Sequence, residues 1–125
     1  MAPLPDQRQA LGRAGEDRAL ADYTSRGYEL LDRNWRDGKK GELDLVLLTG
    51  ATVVVCEVKT RRSDSFGDAL EAVTVSKQLR LRRLASAWLT ANRDRLPHRQ
   101  IELRIDVAAV RLGRNVTVEI VEGAC

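Results

Sequence analysis

The sequence has few cysteines, few aromatic residues and no long apolar run, and each scarcity excludes a class of protein. Its two cysteines, Cys56 and Cys125, are too few for a disulfide framework, and no Cys/His cluster predicts a zinc site. No apolar run approaches the ~20 residues of a membrane-spanning helix. The first residues do not have the basic-then-apolar pattern of a signal peptide. We therefore expect a reduced, cytoplasmic protein without membrane contact. Aromatic residues make up 4%, which disfavours a stacking platform for single-stranded nucleic acid.

The remaining composition is that of an ordinary globular protein with a small excess of positive charge. The chain has 125 residues, of which 43% are hydrophobic and 31% charged, and this predicts one domain over residues 1–125. The net charge is +3, and 17 of the 21 cationic residues are arginine. Arginine suits bidentate contacts with phosphate. A codon bias that favours arginine explains the same count, so composition alone does not predict a nucleic-acid partner.

Hydrophobic periodicity predicts the order helix, three strands, helix, two strands, which is typical of a mixed α/β sheet covered by helices. The first helix is predicted over 7–26, with Asp6 as its N-cap and Gly27 as its stop. The second is predicted from an N-cap at Thr74 to about Arg93. The predicted strands are 28–35, 42–48, 52–59, 101–110 and 116–121, with a polar loop over 60–67.

The hairpin around Gly50-Ala51 predicts a cluster of charged side chains. If these two residues form the loop, Thr49 faces Thr52 and Asp44 falls opposite Glu57. By the same count, Glu42 faces Lys59. Because side chains alternate along a strand, Glu57 and Lys59 share one face while the residue between them points away.

Two opposed carboxylates repel each other, by roughly 0.2–1 kcal/mol in a hairpin. A divalent cation between Asp44 and Glu57 would remove that repulsion, and Mg²⁺ prefers one or two carboxylates with waters and a substrate phosphate. Lys59 could then orient or activate an attacking water. The alternative is a surface salt-bridge ladder made of the same three side chains.

The pattern resembles the UPF0102 (YraN-type) family, which is similar to the archaeal Holliday junction resolvases within the PD-(D/E)xK nucleases of restriction-endonuclease-like fold. The resemblance rests mainly on 41–45 (GELDL) and 55–61 (VCEVKTR). Further matches, in chain order, are 15–16 (GE), 27–28 (GY), 33–36 (RNWR), 66–67 (FG), 72–73 (AV), Lys77 and 104–107 (RIDV). Ile105 departs from the family pattern, in which an aromatic residue is expected, and this affects packing more than chemistry.

The resemblance implies a restriction-endonuclease-like mixed sheet flanked by helices, and four catalytic positions. Asp44, Glu57 and Lys59 match the nuclease motif, and Glu16 matches the glutamate of the resolvases' N-terminal helix. Asp44, Glu57 and Glu16 are the implied ligands of Mg²⁺ or Mn²⁺. Read without the family, Glu16 lies at the edge of the apolar stripe of its helix, beside Gly15, which permits close approach to the sheet. An exposed helix glutamate is the alternative.

Six basic residues are candidates for nucleic-acid contacts. Arg61 and Arg62 follow Lys59 and are placed to hold a phosphate, and Lys77 lies in the first turn of the second helix, whose N–H groups attract anions. The remaining three are Arg80 on that helix and Lys39 and Lys40 in the turn between the first two predicted strands. A solvated helix face is the commoner explanation for the run of arginines around Arg80.

These residues lead to a metal-dependent endonuclease, or phosphodiesterase, acting on DNA, including branched or junction DNA. A homodimer is expected only by analogy, because a two-fold junction needs paired sites. One alternative is a nucleic-acid-binding module of nuclease fold without catalysis. Another is a structural protein whose carboxylates only pair with lysine and arginine. Asp106, with Arg104 on the same face of its strand, is expected to form a salt bridge.

Overall fold

In the described part of the chain, five strands form a single mixed sheet, with one α-helix on each face. The computed structural model describes residues 5–62 and 73–125. The elements are α1 (Pro5–Ser25), β1 (Glu29–Arg36), β2 (Glu42–Thr49), β3 (Thr52–Arg61), α2 (Val75–Ala91), a short 3-10 turn (Arg93–Arg95), β4 (Glu102–Leu112) and β5 (Val116–Val121). The strands lie in sequence order; β3 and β4 run parallel, and the other neighbours run antiparallel. The predicted fold class and element order are confirmed.

The central strand β3 is buried on both faces, as its valine-rich sequence indicates. Val53 and Val55 belong to the core beneath α2, while Val54 and Cys56 belong to the core beneath α1. This alternation fixes the direction of the polar residues that follow. Val58 packs with the α1 core, so its neighbours Glu57 and Lys59 point to the α2 face, as predicted.

Helix α1 begins earlier than predicted and ends as predicted. It starts at Pro5, so Asp6 lies inside its first turn and not at the N-cap. Proline fits the first turn of a helix because the N–H that it lacks has no helical partner there. The helix ends at Ser25, and Gly27 follows with φ of +89°, the left-handed geometry that glycine adopts without strain.

Helix α2 begins as predicted and ends earlier. The Thr74 hydroxyl caps it by accepting a hydrogen bond from the Lys77 N–H at 3.2 Å. The predicted extension to Arg93 is wrong, because the helix ends at Ala91. The Asn92 side chain donates to the Trp88 carbonyl at 2.8 Å and closes the last turn, after which a 3-10 turn begins. In the described part of the chain, neither helix is long and apolar enough to cross a bilayer.

The predicted loop after Lys59 begins two residues too early. β3 continues through Arg61 because β4 pairs with it in parallel up to Arg61 and Arg111. The other strand ends differ from prediction by no more than two residues. The family matches at 66–67 and at Ala72 lie outside the described residues.

Candidate functional site

The hairpin between β2 and β3 has the predicted register, but its ladder stops just before the acidic pair. Residues pair from Thr49 with Thr52 to Leu45 with Cys56. Asp44 and Glu57 come next, and there the Asp44 carboxylate accepts a hydrogen bond from the Val58 N–H at 2.8 Å. The Asp44 side chain therefore takes the place of the next backbone partner and reaches across to β3.

Glu42 does not face Lys59 as predicted. Its carboxylate instead pairs with the Arg36 guanidinium of β1 at 3.0 Å. The reason is the end of the β2–β3 ladder at Leu45, after which β2 pairs only with β1 in the described structure. The predicted facing of Glu42 and Lys59 is thus wrong.

Burial and a neighbouring negative charge make Asp44 an unusual carboxyl group. Its pKa is raised from 3.8 to about 7, first by burial and next by the charge of Glu57. The Val58 N–H acts in the opposite direction, and the charges of Glu16 and Glu42 add to the rise in pKa. While no cation is bound, burial and the charge of Glu57 disfavour the ionised form of Asp44, which is the form that would bind a cation.

Glu57 is 7% exposed and shares one of its oxygens between two lysines. Glu57 Oε1 lies 3.0 Å from Nζ of Lys77 on α2 and 3.6 Å from Nζ of Lys59. Burial and the adjoining Lys77 lower the pKa of Lys59, against the attraction of Glu57. Burial also acts to lower the pKa of Lys77, but its contacts with Lys59 and Glu57 outweigh it and raise that pKa.

These side chains line a cleft of about 230 Å³ between the sheet and α2. Its acidic residues are Glu42, Asp44 and Glu57, and its basic residues are Lys77 and Arg80. The cleft brings together the two carboxylates of the predicted motif. Lys59 joins them through its contact with Glu57.

Lys77 makes a contact that the sequence does not indicate, because its ammonium pairs with the buried carboxylate of Glu57. The phosphate contact expected at this helix N-terminus stays a prediction. The sequence indicates the position of Lys77, because the Thr74 cap fixes it in the first turn of α2. Only the packing of that turn over β3 shows which group the Lys77 ammonium contacts.

Glu16 approaches this region from α1 but does not line the cleft. Its carboxylate accepts a hydrogen bond from the Arg33 guanidinium at 3.2 Å and is 12% exposed, so it is not the free surface glutamate of the alternative interpretation. α1 comes close here because Gly15 packs directly on Thr60 of β3. The charge of Glu16 is felt at Asp44, where it raises the pKa.

The other predicted basic residues lie around the cleft or at the end of β3. Arg61 is the last residue of β3 and Arg62 follows it, both exposed. Lys39 and Lys40 are exposed in the turn between β1 and β2. Arg80 alone of these candidates lines the cleft itself.

The donor set of the cleft fits a hard divalent cation held by two carboxylates. Asp44 and Glu57 offer only oxygen ligands, which Mg²⁺ and Mn²⁺ prefer. A cation would also relieve the repulsion that raises the pKa of Asp44. Among residues 5–62 and 73–125, no group of three or more His, Cys, Asp or Glu side chains is arranged to hold a metal ion. Water and phosphate oxygens would therefore complete the coordination.

Comparison with known proteins places this chain among bacterial relatives of similar length. The model of "Uncharacterised protein family UPF0102" matches residues 15–110. A UPF0102 protein of Acidothermus cellulolyticus is 45% identical, over 99% of this chain and 99% of its own length. A UPF0102 protein of Mycobacterium sp. (strain KMS) is 50% identical over 96% of this chain and 87% of its own length. One of Kineococcus radiotolerans is 48% identical over 93% of each chain. The matched residues contain the whole of the cleft, and the chain belongs to the UPF0102 family.

Proposed function

We propose that this protein is a metal-dependent phosphodiesterase that cleaves DNA. The observation that carries the proposal is the cleft in which Asp44 and Glu57 lie together, with the Lys59 ammonium 3.6 Å from Glu57. The resemblance to the PD-(D/E)xK nucleases supports it, since the same three residues match that motif. Branched or junction DNA is the substrate class that the likeness to Holliday junction resolvases favours.

Each residue has a distinct part in the proposed reaction. Asp44 and Glu57 would hold a Mg²⁺ or Mn²⁺ ion through their carboxylates, and Glu16 would contribute from α1, directly or through a water. When bound, such an ion neutralises phosphate charge and lowers the pKa of a bound water. Lys59 positions the attacking water beside the carboxylates.

Burial prepares Lys59 for this part. Its lowered pKa makes the neutral amine easier to form, and only the neutral amine can accept a proton from a nearby water. Lys77 neutralises Glu57 while the carboxylates hold no cation. Once a cation is bound, Lys77 would be free to contact a phosphate. Lys77 would thus have two successive roles, the ion pair with Glu57 and then the phosphate contact predicted from its position.

The partner in this proposal is DNA, bound through Arg61, Arg62, Arg80, Lys39 and Lys40 around the cleft. We expect the reaction in the cytoplasm, where Cys56 and Cys125 stay reduced. The homodimer that the resemblance implies stays a prediction.

A binding module without catalysis is the second candidate, and one observation favours it. Glu57 already has two lysine counterions at 3.0 and 3.6 Å, so its charge is balanced without a metal. Such a module would bind DNA with a steep salt dependence, in the presence of EDTA, and would cleave nothing.

Titration calorimetry with Mn²⁺ and cleavage of a labelled four-way junction separate the two candidates. We expect the wild type to bind Mn²⁺ and Asp44→Ala to bind at least tenfold more weakly, because half of the carboxylate set is lost. We expect Lys59→Ala to retain Mn²⁺ binding and to lose about 10²–10⁴-fold in cleavage rate, the usual range for a residue that moves a proton.

The matched control is Glu119→Gln, which removes an exposed carboxylate from β5, on the far edge of the sheet. It is expected to match the wild type in both measurements. Melting curves for each variant establish that the fold is intact. Undiminished cleavage in Asp44→Ala or Lys59→Ala would overturn the assignment of these residues, and DNA binding without Mn²⁺ binding or cleavage would favour the binding module.

A further inference from the structure

A second groove adjoins the carboxylate cleft and has a different charge. It has a volume of about 350 Å³ and lies between α2 and the turn that joins β1 to β2. Its polar lining residues are Asp37, Lys40, Arg80 and Arg83, above a floor of Leu84 and Ala87. Arg80 and Leu84 line both the groove and the cleft. The two depressions therefore adjoin each other at Arg80 and Leu84.

Within the described residues, the cations of this groove have no ion pairs, unlike the two lysines beside Glu57. Lys59 and Lys77 are paired with Glu57, and Arg36 with Glu42. Across residues 5–62 and 73–125, Lys40, Arg80 and Arg83 have no carboxylate within salt-bridge distance. An anion that enters the groove breaks no existing ion pair, so it gains the full attraction of three cations against the single carboxylate of Asp37.

The spacing of these cations suits a chain of phosphates. Arg80 and Arg83 are three residues apart on α2, which places their side chains about 5–6 Å apart at the Cβ atoms on one face. Lys40 contributes from the opposite wall. Arginine forks bind phosphate oxygens in pairs, and a row of them follows a backbone.

From this adjacency and the positive charge of the groove we infer that the groove is the binding path of the substrate: one DNA strand leaves the carboxylate cleft past Arg80 and lies between Arg83 and Lys40. The inference rests on the proposed function for the identity of the strand. The inference goes beyond the proposed function by adding Arg83 as a binding residue. It also gives the path of the DNA strand, across α2 toward the β1–β2 turn.

The test uses a fluorescein-labelled flapped DNA duplex and fluorescence anisotropy in EDTA, so that binding is measured without cleavage. We expect Arg83→Gln to weaken binding about 3–10-fold and to reduce the slope of log Kd against log salt by about one, as the loss of one phosphate contact does. The matched control is Arg82→Gln, which removes the same charge from the neighbouring residue. Arg82 is exposed and lines neither the groove nor the cleft.

Asp37→Asn tests the same surface with the opposite sign. It removes the one carboxylate of the groove, so binding should tighten, by about 2–5-fold if one like-charge repulsion is relieved. A purely structural role for Asp37 would not produce tighter binding. Tighter binding by Asp37→Asn together with weaker binding by Arg83→Gln supports the binding path.

Equal binding by wild type, Arg82→Gln and Arg83→Gln would overturn the binding path and leave Mn²⁺ binding and junction cleavage untouched. The absence of any DNA binding by the wild type in EDTA would also overturn it. Failure of the proposed function has another signature, namely normal binding in the groove without Mn²⁺ affinity or cleavage. The two failures are thus separable in the same set of samples.

Discussion

The buried carboxyl group of Asp44 lowers the stability of the folded protein when it is ionised. This group lies beside Glu57, and its pKa of about 7 lies well above the ordinary value of 3.8. Between these two pH values the folded state keeps a proton that the unfolded state has lost. The associated stabilisation is fully present below about pH 4 and is lost as the pH rises through 7. At neutral pH and above, ionised Asp44 therefore destabilises the fold.

We accordingly expect Asp44→Asn to be more stable than the wild type in alkaline buffer. The amide keeps an oxygen for the Val58 N–H and removes the repulsion from Glu57. The gain at pH 8 should be on the order of 2 kcal/mol, below the ~4 kcal/mol of three pKa units, because the neutral oxygen is a weaker acceptor. Melting temperatures should rise by roughly 5–10 °C.

The pH dependence of this gain is the diagnostic feature. Thermal unfolding of both proteins from pH 4 to pH 9 should show a difference that is near zero at pH 4, grows up to pH 7 and then stays constant. Saturating Mn²⁺ at pH 8 should stabilise the wild type and not the variant, by mass action. A stability difference that did not change with pH would contradict the burial and repulsion assigned to Asp44.

At the scale of elements, the contact of α1 with β3 brings Glu16 toward the carboxylates. Gly15 lies on Thr60, and a Cβ atom at Gly15 would overlap the Thr60 hydroxyl and its Cβ. Gly12, one turn earlier on the same helix, has open space where its Cβ would be. The two glycines therefore form a matched pair for testing the contact.

We predict opposite effects for Gly15→Ala and Gly12→Ala. Gly12→Ala should stabilise the protein by about 0.5–1 kcal/mol through helix propensity alone. Gly15→Ala should destabilise it by about 1–3 kcal/mol, because α1 must move away from β3 to admit the methyl group. Urea unfolding measures both changes, and stabilisation by Gly15→Ala would refute the close contact.

The hairpin site was predictable from the sequence because its determinants are local. A two-residue turn at Gly50-Ala51 sets the register, and strand alternation sends Glu57 and Lys59 to one face. The ion-pair partners of Glu42 and Lys77 were not predictable in this way. They depend on where β2 leaves β3 and on which strand lies beneath α2, and both are set by packing between elements.

Strand and helix ends were missed for a related reason. The β3 strand continues to Arg61 because β4 supplies it with backbone partners, and no feature of the residues after Lys59 indicates that partner. Conversely, the start of α2 was predicted because Thr74 carries its cap in its own side chain. The start of α2 was thus predictable from a local side chain, whereas the end of β3 depends on a distant strand and was not.

At the scale of the whole molecule, Asp106 of β4 joins α1 and the segment after β5 to the sheet. Its carboxylate is fully buried and accepts hydrogen bonds from the Tyr23 hydroxyl at 2.7 Å and the Gly123 N–H at 3.0 Å. Arg104 pairs with it at 2.9 Å and also donates to the Tyr28 hydroxyl at 2.8 Å. The salt bridge expected from the sequence is confirmed, but the complete burial of Asp106 beneath α1 follows only from the fold.

Loss of this carboxylate should cost far more than loss of any one of its partners. Asp106→Ala removes the carboxylate that accepts from the Tyr23 hydroxyl and leaves Arg104 only the more distant, exposed Glu122 at 3.7 Å, so we expect a loss of about 3–5 kcal/mol in the free energy of unfolding. Tyr23→Phe removes a single donor from a carboxylate that keeps its other contacts, so about 1–2 kcal/mol is expected.

The double variant distinguishes a coupled network from two independent contacts. If the Tyr23 hydroxyl stabilises the fold through Asp106, then Tyr23→Phe should cost little or nothing once Asp106→Ala is present, since no acceptor remains to be satisfied. Urea unfolding of the four proteins in this cycle gives the coupling energy, and simple additivity would contradict the network. Mn²⁺ affinity, measured on the same folded samples, should stay unchanged in Tyr23→Phe. The network lies on the α1 face of the sheet and the carboxylate cleft lies on the α2 face, so the loss of one hydroxyl from the network should not reach Asp44 and Glu57.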